Sequence, residues 1–374
     1  MSQKTVKVAI VGAGNIARIY AENIRNYPHV EIIGFQDALP ERAAAMARQF
    51  GGRAYGSLDE VLADPDVDLV VNLTVQQAHA AIVQASLEAG KHVFSEKPMA
   101  LNYEEAAALV KLADERGLRL SSAPISYMGE AQLAAWRLIR DGWAGDIRIA
   151  TASVVLGQVN LWHPNPIPFL QVGAHWDVGV YALTLLTAFL GPARSVSAGR
   201  RLLKPDRKTR DGAPFHFDTP DYVLALIEFE SGTVARLETS FYARSPRGGN
   251  TIEFHGDNGT IWLGDFQDFR TGVQFAAAGK DYVPVDVGAA PETIPSHGRA
   301  GRGVDEMARA ILEGRPHRAS AAHAAHVIEI LCGIDASNGL PVEIRSRFAP
   351  PPPIELAELA PHRLEACVKN RKVL

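Results

Sequence analysis

The fold of the first part of this chain is decided by the stretch Val6-Lys7-Val8-Ala9-Ile10-Val11-Gly12-Ala13-Gly14-Asn15-Ile16-Ala17. Its first six residues read as a short apolar strand, and a helical pattern starts after the glycines. Gly12 permits a tight turn, and Gly14 lets the backbone approach a pyrophosphate. The small Ala17 lets the helix pack close to the sheet with its N-terminus facing the phosphates. The stretch therefore predicts a dinucleotide-binding turn.

An acidic residue follows the next strand. Val30 to Phe35 is a second apolar run, and Asp37 stands just past its end, 25 residues after Gly12. A separation of about 20 residues is typical of the acid that binds the adenosine ribose hydroxyls. A carboxylate there would repel a 2′-phosphate, so the sequence favours NAD. NADP stays open, because the geometry of this loop easily changes ribose selectivity.

The alternation of strand and helix continues to about Ser121 and then stops. Repeated strand–helix units of this length predict a doubly wound parallel sheet, the Rossmann fold, over residues 1–123. Beyond them, strands rich in Val, Ile and Thr are joined by turn signals at Ser231-Gly232 and Asp257-Asn258-Gly259. Residues 124–374 are therefore expected to form an α+β domain with a mostly antiparallel, open-faced sheet that binds substrate and forms oligomer contacts.

Composition excludes several classes of partner. Apolar residues make up 47%, charged residues 21%, and the net charge is -4, so neither nucleic acid nor an anionic membrane is an expected partner. Two cysteines, no leader pattern and no apolar run long enough to span a bilayer predict a cytoplasmic protein. The basic run from Arg200 to Arg210 reads as a solvated loop. His323 and His326 read as surface residues, and no metal site is expected.

Two short motifs carry candidate chemistry. The segment Gly90 to Pro98 ends a strand in Glu96-Lys97-Pro98. Ligands of open α/β sheets bind outside the carboxyl ends of strands, which places Lys97 at a substrate. Asp177 and Tyr181 are four residues apart at the start of an apolar helical stretch, so they share one helix face.

Together these motifs resemble the glucose–fructose oxidoreductase / inositol dehydrogenase family, Gfo/Idh/MocA. The resemblance rests on the glycine turn, the Thr74 to His79 stretch, the AGKHVFSEKP segment, the DVGVY helix and the sheet domain. It implies an NAD(P)-dependent oxidoreductase that transfers a hydride between nicotinamide and a secondary alcohol carbon of a sugar or sugar-like polyol. It also implies a cis peptide bond before Pro98. The cofactor-binding residues that it implies are Gly12, Gly14, Asn15, Ile16, Asp37, Thr74, His79, Glu96 and Lys97.

Alcohol oxidation needs a group that accepts the hydroxyl proton. Tyr181, at a position that is His in inositol-type members, is the candidate acid/base. An ordinary tyrosine titrates near ~10, so the role needs a neighbouring cation, for which Lys97 is the candidate. Asp177 would orient the substrate through a second hydroxyl. His175 is a rival for the acid/base role, and His163, in the loop Trp162-His163-Pro164-Asn165-Pro166, is a further candidate for substrate contact.

Other functions remain open at this point. Some relatives are NAD-requiring, redox-neutral glycosidases of the same fold, and a non-enzymatic NAD(P)-binding sensor or corepressor would share the cofactor site. Intact Glu96-Lys97-Pro98 argues against the sensor. Substrate identity lies in loops such as 158–172, which the sequence does not resolve. An exposed sheet needs a cover, so we expect a homodimer or homotetramer formed through it.

Overall fold

The computed structural model of the protein describes residues 4–245, 249–287 and 300–354. These residues form two compact units. The first contains residues 4–128, 300–325 and 351–354, and the second contains residues 129–245, 249–287 and 326–350. Residues 300–325, which the sequence analysis assigns to the second domain, group by contact with the first unit. The domain limits 1–123 and 124–374 stay a prediction.

The first unit is built on a six-stranded parallel sheet in the order β3-β2-β1-β4-β5-β6. Up to residue 122 its elements are β1 (Val6–Val11), α1 (Asn15–Ile24), β2 (Val30–Gln36), α2 (Pro40–Phe50), β3 (Arg53–Ala54), α3 (Leu58–Ala63), β4 (Leu69–Asn72), α4 (Gln76–Glu88), β5 (His92–Ser95), α5 (Tyr103–Glu115) and β6 (Leu120–Ser122). This is the Rossmann strand order, and the predicted doubly wound sheet is confirmed.

Local sequence accounts for these elements. The four residues of β4 are all buried, as expected for a parallel strand covered on both faces. The Ser57 hydroxyl caps α3 by accepting the Glu60 backbone N–H at 3.2 Å, and the Asn102 side chain caps α5 by accepting the Glu105 N–H at 2.8 Å. Ser and Asn are among the residues preferred at this position, so the sequence marks both helix starts.

The second unit is built on a nine-stranded sheet in the order β16-β15-β14-β13-β7-β12-β11-β8-β17, whose neighbours are antiparallel except β7 and β12. The remaining elements of the described chain are α6 (Glu130–Arg140), β7 (Ile147–Val155), α7 (Ile167–Val172), α8 (Val180–Leu190), β8 (Ala193–Arg201), β9 (Asp206–Lys208), β10 (Pro214–His216), β11 (Tyr222–Phe229), β12 (Val234–Ser240), β13 (Asn250–Gly256), β14 (Gly259–Leu263), β15 (Val273–Ala277), β16 (Val283–Pro284), α9 (Gly301–Glu313), α10 (Ala321–Ala336) and β17 (Val342–Glu343). Short 3₁₀ turns lie at Ser126–Met128 and Val159–Leu161, and a π-helical turn lies at His175–Gly179. The predicted mostly antiparallel sheet is confirmed.

One face of this sheet is covered and the other is open. Along β11, Val223, Ala225 and Ile227 are at most 1% exposed, whereas Leu224 and Leu226 between them are 41% and 46% exposed. Ile149 on β7 is 51% exposed. Strand residues alternate between the two faces. The second unit therefore presents apolar side chains on its open face, as the sequence analysis expects.

Two interpretations of charged and histidine residues are wrong. Arg207, in the run expected to be a solvated loop, is buried in an ion pair with Asp221, and the two side chains have no exposed surface. His323 and His326, expected on the surface, are 3% and 0% exposed. The burial of Arg207 and His326 is not visible in the local sequence, because their hydrogen-bond partners Asp221, Ala193 and Ser346 lie at least 14 residues away.

No described helix combines the length and apolarity needed to cross a lipid bilayer. In the described ranges, no group of three or more His, Cys, Asp or Glu side chains is arranged to hold a metal ion.

Candidate active site

The glycine turn has a backbone that only glycine allows at its first position. Gly12 has φ +94°, and a Cβ built there would lie 2.6 Å from the Leu73 carbonyl carbon. At the helix cap Gly14, no atom of the described part of the chain lies within 4 Å of an ideal Cβ, so these residues leave the space above it open. Asn15 and Ile16 begin α1 and are exposed, while Ala17 is fully buried. The turn therefore presents bare backbone and a helix N-terminus to a phosphate group.

Asp37 is held beside this turn by two backbone hydrogen bonds. Its Oδ2 accepts the Ala13 N–H at 2.7 Å, and its Oδ1 accepts the Leu39 N–H at 2.9 Å. The residue is partly exposed. Each carboxylate oxygen accepts more than one hydrogen bond, so capacity remains for ribose hydroxyls. An open cradle at Gly14 and an acid fixed next to it fit an NAD(P) dinucleotide.

Glu96 links the end of β5 to α1. Its Oε1 accepts the Tyr20 hydroxyl at 2.6 Å, and its Oε2 accepts the Lys97 backbone N–H at 3.1 Å. The peptide bond between Lys97 and Pro98 is cis, as the resemblance implies. The carboxylate thus orients the Lys97 backbone through contacts that the sequence did not reveal, since Tyr20 reads only as one apolar position of an amphipathic helix.

His79 braces the loops around this strand end. Its Nδ1 lies 2.7 Å from the Pro98 carbonyl oxygen, and its Nε2 lies 3.1 Å from the Thr74 carbonyl oxygen. The Thr74 hydroxyl donates to Asn72 Oδ1 at 2.7 Å. His79 is 1% exposed, so it contacts the Thr74 and Pro98 segments from the interior of the unit. Direct cofactor contacts of His79 and Thr74 stay predictions.

In the second unit, the π-helical turn His175–Gly179 runs directly into α8. Asp177 lies in the turn, and its N–H donates to the Gly173 carbonyl at 3.1 Å. Tyr181 lies in the first turn of α8. Both side chains are partly exposed, whereas Val178 and Val180 are buried. The two candidate residues therefore belong to consecutive elements, a detail that the predicted single helix did not include.

His175 precedes them and points into the unit. Its side chain is 2% exposed, its Nε2 lies 3.0 Å from Asp335 Oδ1, and its Nδ1 is buried with no hydrogen-bond partner among the described residues. Trp176 Nε1 donates to the other oxygen of Asp335 at 2.6 Å. Asp335 is a residue that the sequence analysis missed, since 160 positions separate it from His175.

His163 lies in the loop between β7 and α7. Its Nδ1 is 2.8 Å from the Asn165 carbonyl oxygen, and its ring packs edge-to-face on Phe169 with 4.6 Å between centroids. The neighbouring Trp162 is 46% exposed.

Residues of the loop between β7 and α7 line two grooves of the second unit. The first groove is bordered by Val155, Leu156, Trp162, Arg244, Ser245, Gly249 and Asn250. The second is bordered by Gln158, Asn160, Leu161, Lys204, Asp206, Arg207, Lys208, Thr209, Arg210 and Pro214.

Each unit thus gathers its own set of candidate residues. In the first unit, the candidates follow the carboxyl ends of neighbouring parallel strands; they are Gly12, Asp37, Thr74, Glu96 and Lys97. This is the edge at which ligands of such sheets bind. In the second, Asp177, Tyr181 and the buried His175 follow one another along the π turn and α8.

Comparison with known proteins agrees with the fold. A family model described as an oxidoreductase family with an NAD-binding Rossmann fold matches residues 6–123, and a model of the GFO/IDH/MocA C-terminal domain matches residues 133–262. The 1,5-anhydro-D-fructose reductase of Ensifer adhaerens is 29% identical over 262 residues, which cover 67% of this chain and 74% of that protein.

A dTDP-3,4-didehydro-2,6-dideoxy-alpha-D-glucose 3-reductase of Streptomyces violaceoruber is 32% identical over 189 residues, 50% of this chain and 55% of that protein. The chain thus spans about half the length of this relative, and 54% of another curated oxidoreductase. The solved structure of a levoglucosan dehydrogenase with NADH and levoglucosan superimposes with a TM-score of 0.82 at 23% identity, covering 92% of this chain and 100% of that one. At that identity the likeness is one of fold.

Proposed function

The chain belongs to the Gfo/Idh/MocA family of oxidoreductases, and from this premise we propose that it transfers a hydride between NAD(P) and a secondary alcohol carbon of a sugar or sugar-like polyol. The proposal rests mainly on the geometry at the end of β5. There, Glu96 orients the Lys97 backbone at the sheet edge next to the glycine turn. The names of two relatives, an anhydrofructose reductase and a dTDP-sugar 3-reductase, support a sugar-like substrate.

The dinucleotide, when bound, supplies the hydride acceptor or donor. Lys97 is proposed to donate a hydrogen bond to the reacting oxygen, which stabilises negative charge on that oxygen. Asp177 is proposed to accept a hydrogen bond from a second substrate hydroxyl and so to orient the sugar. Tyr181 is proposed to move the hydroxyl proton.

The surroundings of His175 favour Tyr181 over it as the acid/base. His175 is buried, and its Nε2 is engaged by Asp335, whereas Tyr181 is partly exposed. A general base must reach the proton that it takes. His175 is therefore assigned to support of the turn, and Tyr181 to proton transfer.

NAD is proposed as the preferred cofactor. Asp37 is fixed by its hydrogen bonds to the Ala13 and Leu39 N–H groups, so its negative charge stays beside the turn. A 2′-phosphate would meet that charge at short range. NADP binding would need a rearrangement of this loop.

The deciding experiment follows nicotinamide absorbance at 340 nm while NAD and NADP are each offered with aldoses, anhydrosugars, cyclitols and sugar acids. We expect stoichiometric reduction of NAD by one of these classes. Lys97→Met should abolish the signal, and Lys111→Met, on the exposed surface of α5, should leave it unchanged.

Two results would replace this proposal. Cleavage of a glycoside that requires NAD but produces no net NADH would identify a redox-neutral glycosidase. Binding of NAD without turnover of any compound class would favour the sensor or the redox-neutral glycosidase over the dehydrogenase.

A further inference from the structure

Asp335, at the end of α10, joins three elements of the second unit. Its Oδ1 accepts hydrogen bonds from His175 Nε2 at 3.0 Å and from the Arg200 guanidinium at 2.7 Å. Its Oδ2 accepts the Trp176 indole N–H at 2.6 Å. The same guanidinium also donates to the Asp335 backbone carbonyl at 2.6 Å. One carboxylate therefore connects the π-helical turn to α10 and, through Arg200, to β8.

The surroundings of Asp335 favour its negatively charged form, which accepts hydrogen bonds from all of these donors. Burial disfavours the ionised carboxylate, but hydrogen bonds from His175 and Trp176 and the positive charge of Arg200 outweigh it and lower the pKa of Asp335. An ionised carboxylate is only an acceptor. In the contact between the two side chains, His175 must therefore carry a proton on Nε2 and donate it to Asp335. This hydrogen bond holds the imidazole ring with Nε2 facing Asp335.

The segment that Asp335 holds has a conformation that needs support. A π-helical turn is rare, and such turns are frequent at functional sites. The side chains of His175 and Trp176 are 2% and 8% exposed, and both point to Asp335. Asp177 comes next in the chain and is partly exposed. With two consecutive side chains anchored, the backbone at Asp177 has little freedom to rotate.

We propose that Asp335 is a positioning residue for the hydride-transfer reaction: it holds the His175–Trp176 turn so that Asp177 and Tyr181 keep the orientation that turnover needs. The inference rests on the proposed function, since it gives Asp335 a role through residues assigned to substrate. Arg200 completes the anchor, because it binds both the carboxylate and the carbonyl of Asp335.

The test compares Asp335→Ala and Asp335→Asn with a control, Glu228→Gln. Glu228 forms an ion pair at 2.6 Å with Arg194 on β8, the strand that also carries Arg200, but Arg194 is exposed and Glu228 is partly exposed. A misplacement of about 1 Å at a reacting group costs on the order of 10²-fold in rate. We expect kcat to fall about 10²-fold in Asp335→Ala and less in Asp335→Asn, which keeps one acceptor oxygen. Glu228→Gln should stay within about twofold of the wild type.

Two further readouts separate positioning from general stability. The Kd for NAD, which binds the first unit, should be unchanged in every variant. Amide hydrogen exchange should accelerate in the peptide covering residues 174–181 and not elsewhere in the second unit. Exchange that rises evenly over the whole unit, with kcat falling only in proportion to the folded fraction, would make Asp335 a merely structural residue and overturn the inference.

The exchange readout does not depend on turnover. If the wild type oxidises no polyol, the proposed function fails, while exchange in Asp335→Ala still decides whether Asp335 holds the turn. If turnover is normal and both kcat and exchange in Asp335→Ala equal the wild type, the inference fails alone. Should the alanine variant not fold, Trp176→Phe, which removes one of the anchoring hydrogen bonds and keeps an aromatic ring, replaces it under the same criteria.

Discussion

Replacing His326 removes a buried titrating group from the second unit. Its side chain is fully buried, and its Nε2 accepts the Ala193 backbone N–H at 2.9 Å. Its Nδ1 lies 2.8 Å from the Ser346 hydroxyl and 3.1 Å from the Ser346 carbonyl oxygen. Because an amide N–H can only donate, Nε2 must lack a proton, and the folded protein holds this imidazole neutral.

The pKa gives the size and the sign of the effect. Burial lowers the pKa of His326 from 6.5 to about 4; the carboxylates of Glu329 and Glu230 act against this, and Arg347 acts with it. As the pH falls below about 6.5, the unfolded chain binds a proton that the folded chain rejects, so stability is lost until the pH reaches the folded pKa. At about 1.4 kcal/mol for each unit, the loss is roughly 2 kcal/mol by pH 5 and about 3 kcal/mol at its limit.

The assay is urea unfolding followed by tryptophan fluorescence at pH 8 and pH 5. All five tryptophans lie in the second unit, so the signal reports the unit that contains His326. His326→Gln keeps a donor and an acceptor but does not titrate. We expect the free energy of unfolding to drop between the two pH values by about 2 kcal/mol more in the wild type than in this variant.

The matched control is His216→Gln. His216 is half exposed, and its hydrogen bonds to the carboxylates of Asp206 and Asp218 raise its pKa, so it stabilises the folded state at low pH and its loss acts with the opposite sign. Other histidines whose pKa is lowered, such as the partly buried His92 and His317, contribute equally in all variants, and their contributions cancel. An equal pH dependence in wild type and His326→Gln would refute the assignment of a neutral, buried imidazole.

Other perturbations test the proposed site and the open sheet. Lys97→Ala should lower kcat by about 10³-fold or more while leaving the NAD Kd, measured by calorimetry, nearly unchanged; unchanged turnover would exclude Lys97 from the site. Tyr181→Phe should slow turnover about 10²–10⁴-fold, measured as steady-state kcat, and a harmless change would return the acid/base role to His175. Asp37→Ala should relax the preference for NAD over NADP, which the ratio of kcat/KM values for the two cofactors measures, and a constant ratio would contradict the ribose contact. Leu226→Lys should convert a wild-type dimer or tetramer to monomer in light scattering, and a monomeric wild type would contradict the proposed oligomer.

Local features of this protein follow from its sequence alone. The run Val6–Val11, the turn at Gly12 and the start of α1 are predictable because strand pairing, a positive φ and a helix N-terminus each need particular residues within a few positions. The caps at Ser57 and Asn102 and the turn before β14 are of the same kind. Such constraints act between neighbours in the chain, so their pattern can be read along it.

Other features depend on partners that are distant in sequence. The sequence of β8 does not show a clear strand pattern, because arginines and serines interrupt its apolar positions. Its strand conformation depends on pairing with β11 and β17. Arg207 is buried because Asp221 neutralises it, and His326 because Ala193 and Ser346 satisfy both of its ring nitrogens. Nothing adjacent to these residues marks the partner.

The candidate site divides in the same way. The sequence by itself determined which residues are candidates: the glycine turn, Asp37, the Glu96-Lys97-Pro98 strand end and the pair Asp177 and Tyr181. Spacing and residue type mark them, and the family resemblance implies their roles. Only the tertiary structure decided which groups hold these residues in place: Tyr20 on Glu96, and Asp335 on the π-helical turn. The physical reason is that burying a charged or polar side chain is costly without a hydrogen-bonding partner, and the partner is chosen by how the chain packs and not by its order.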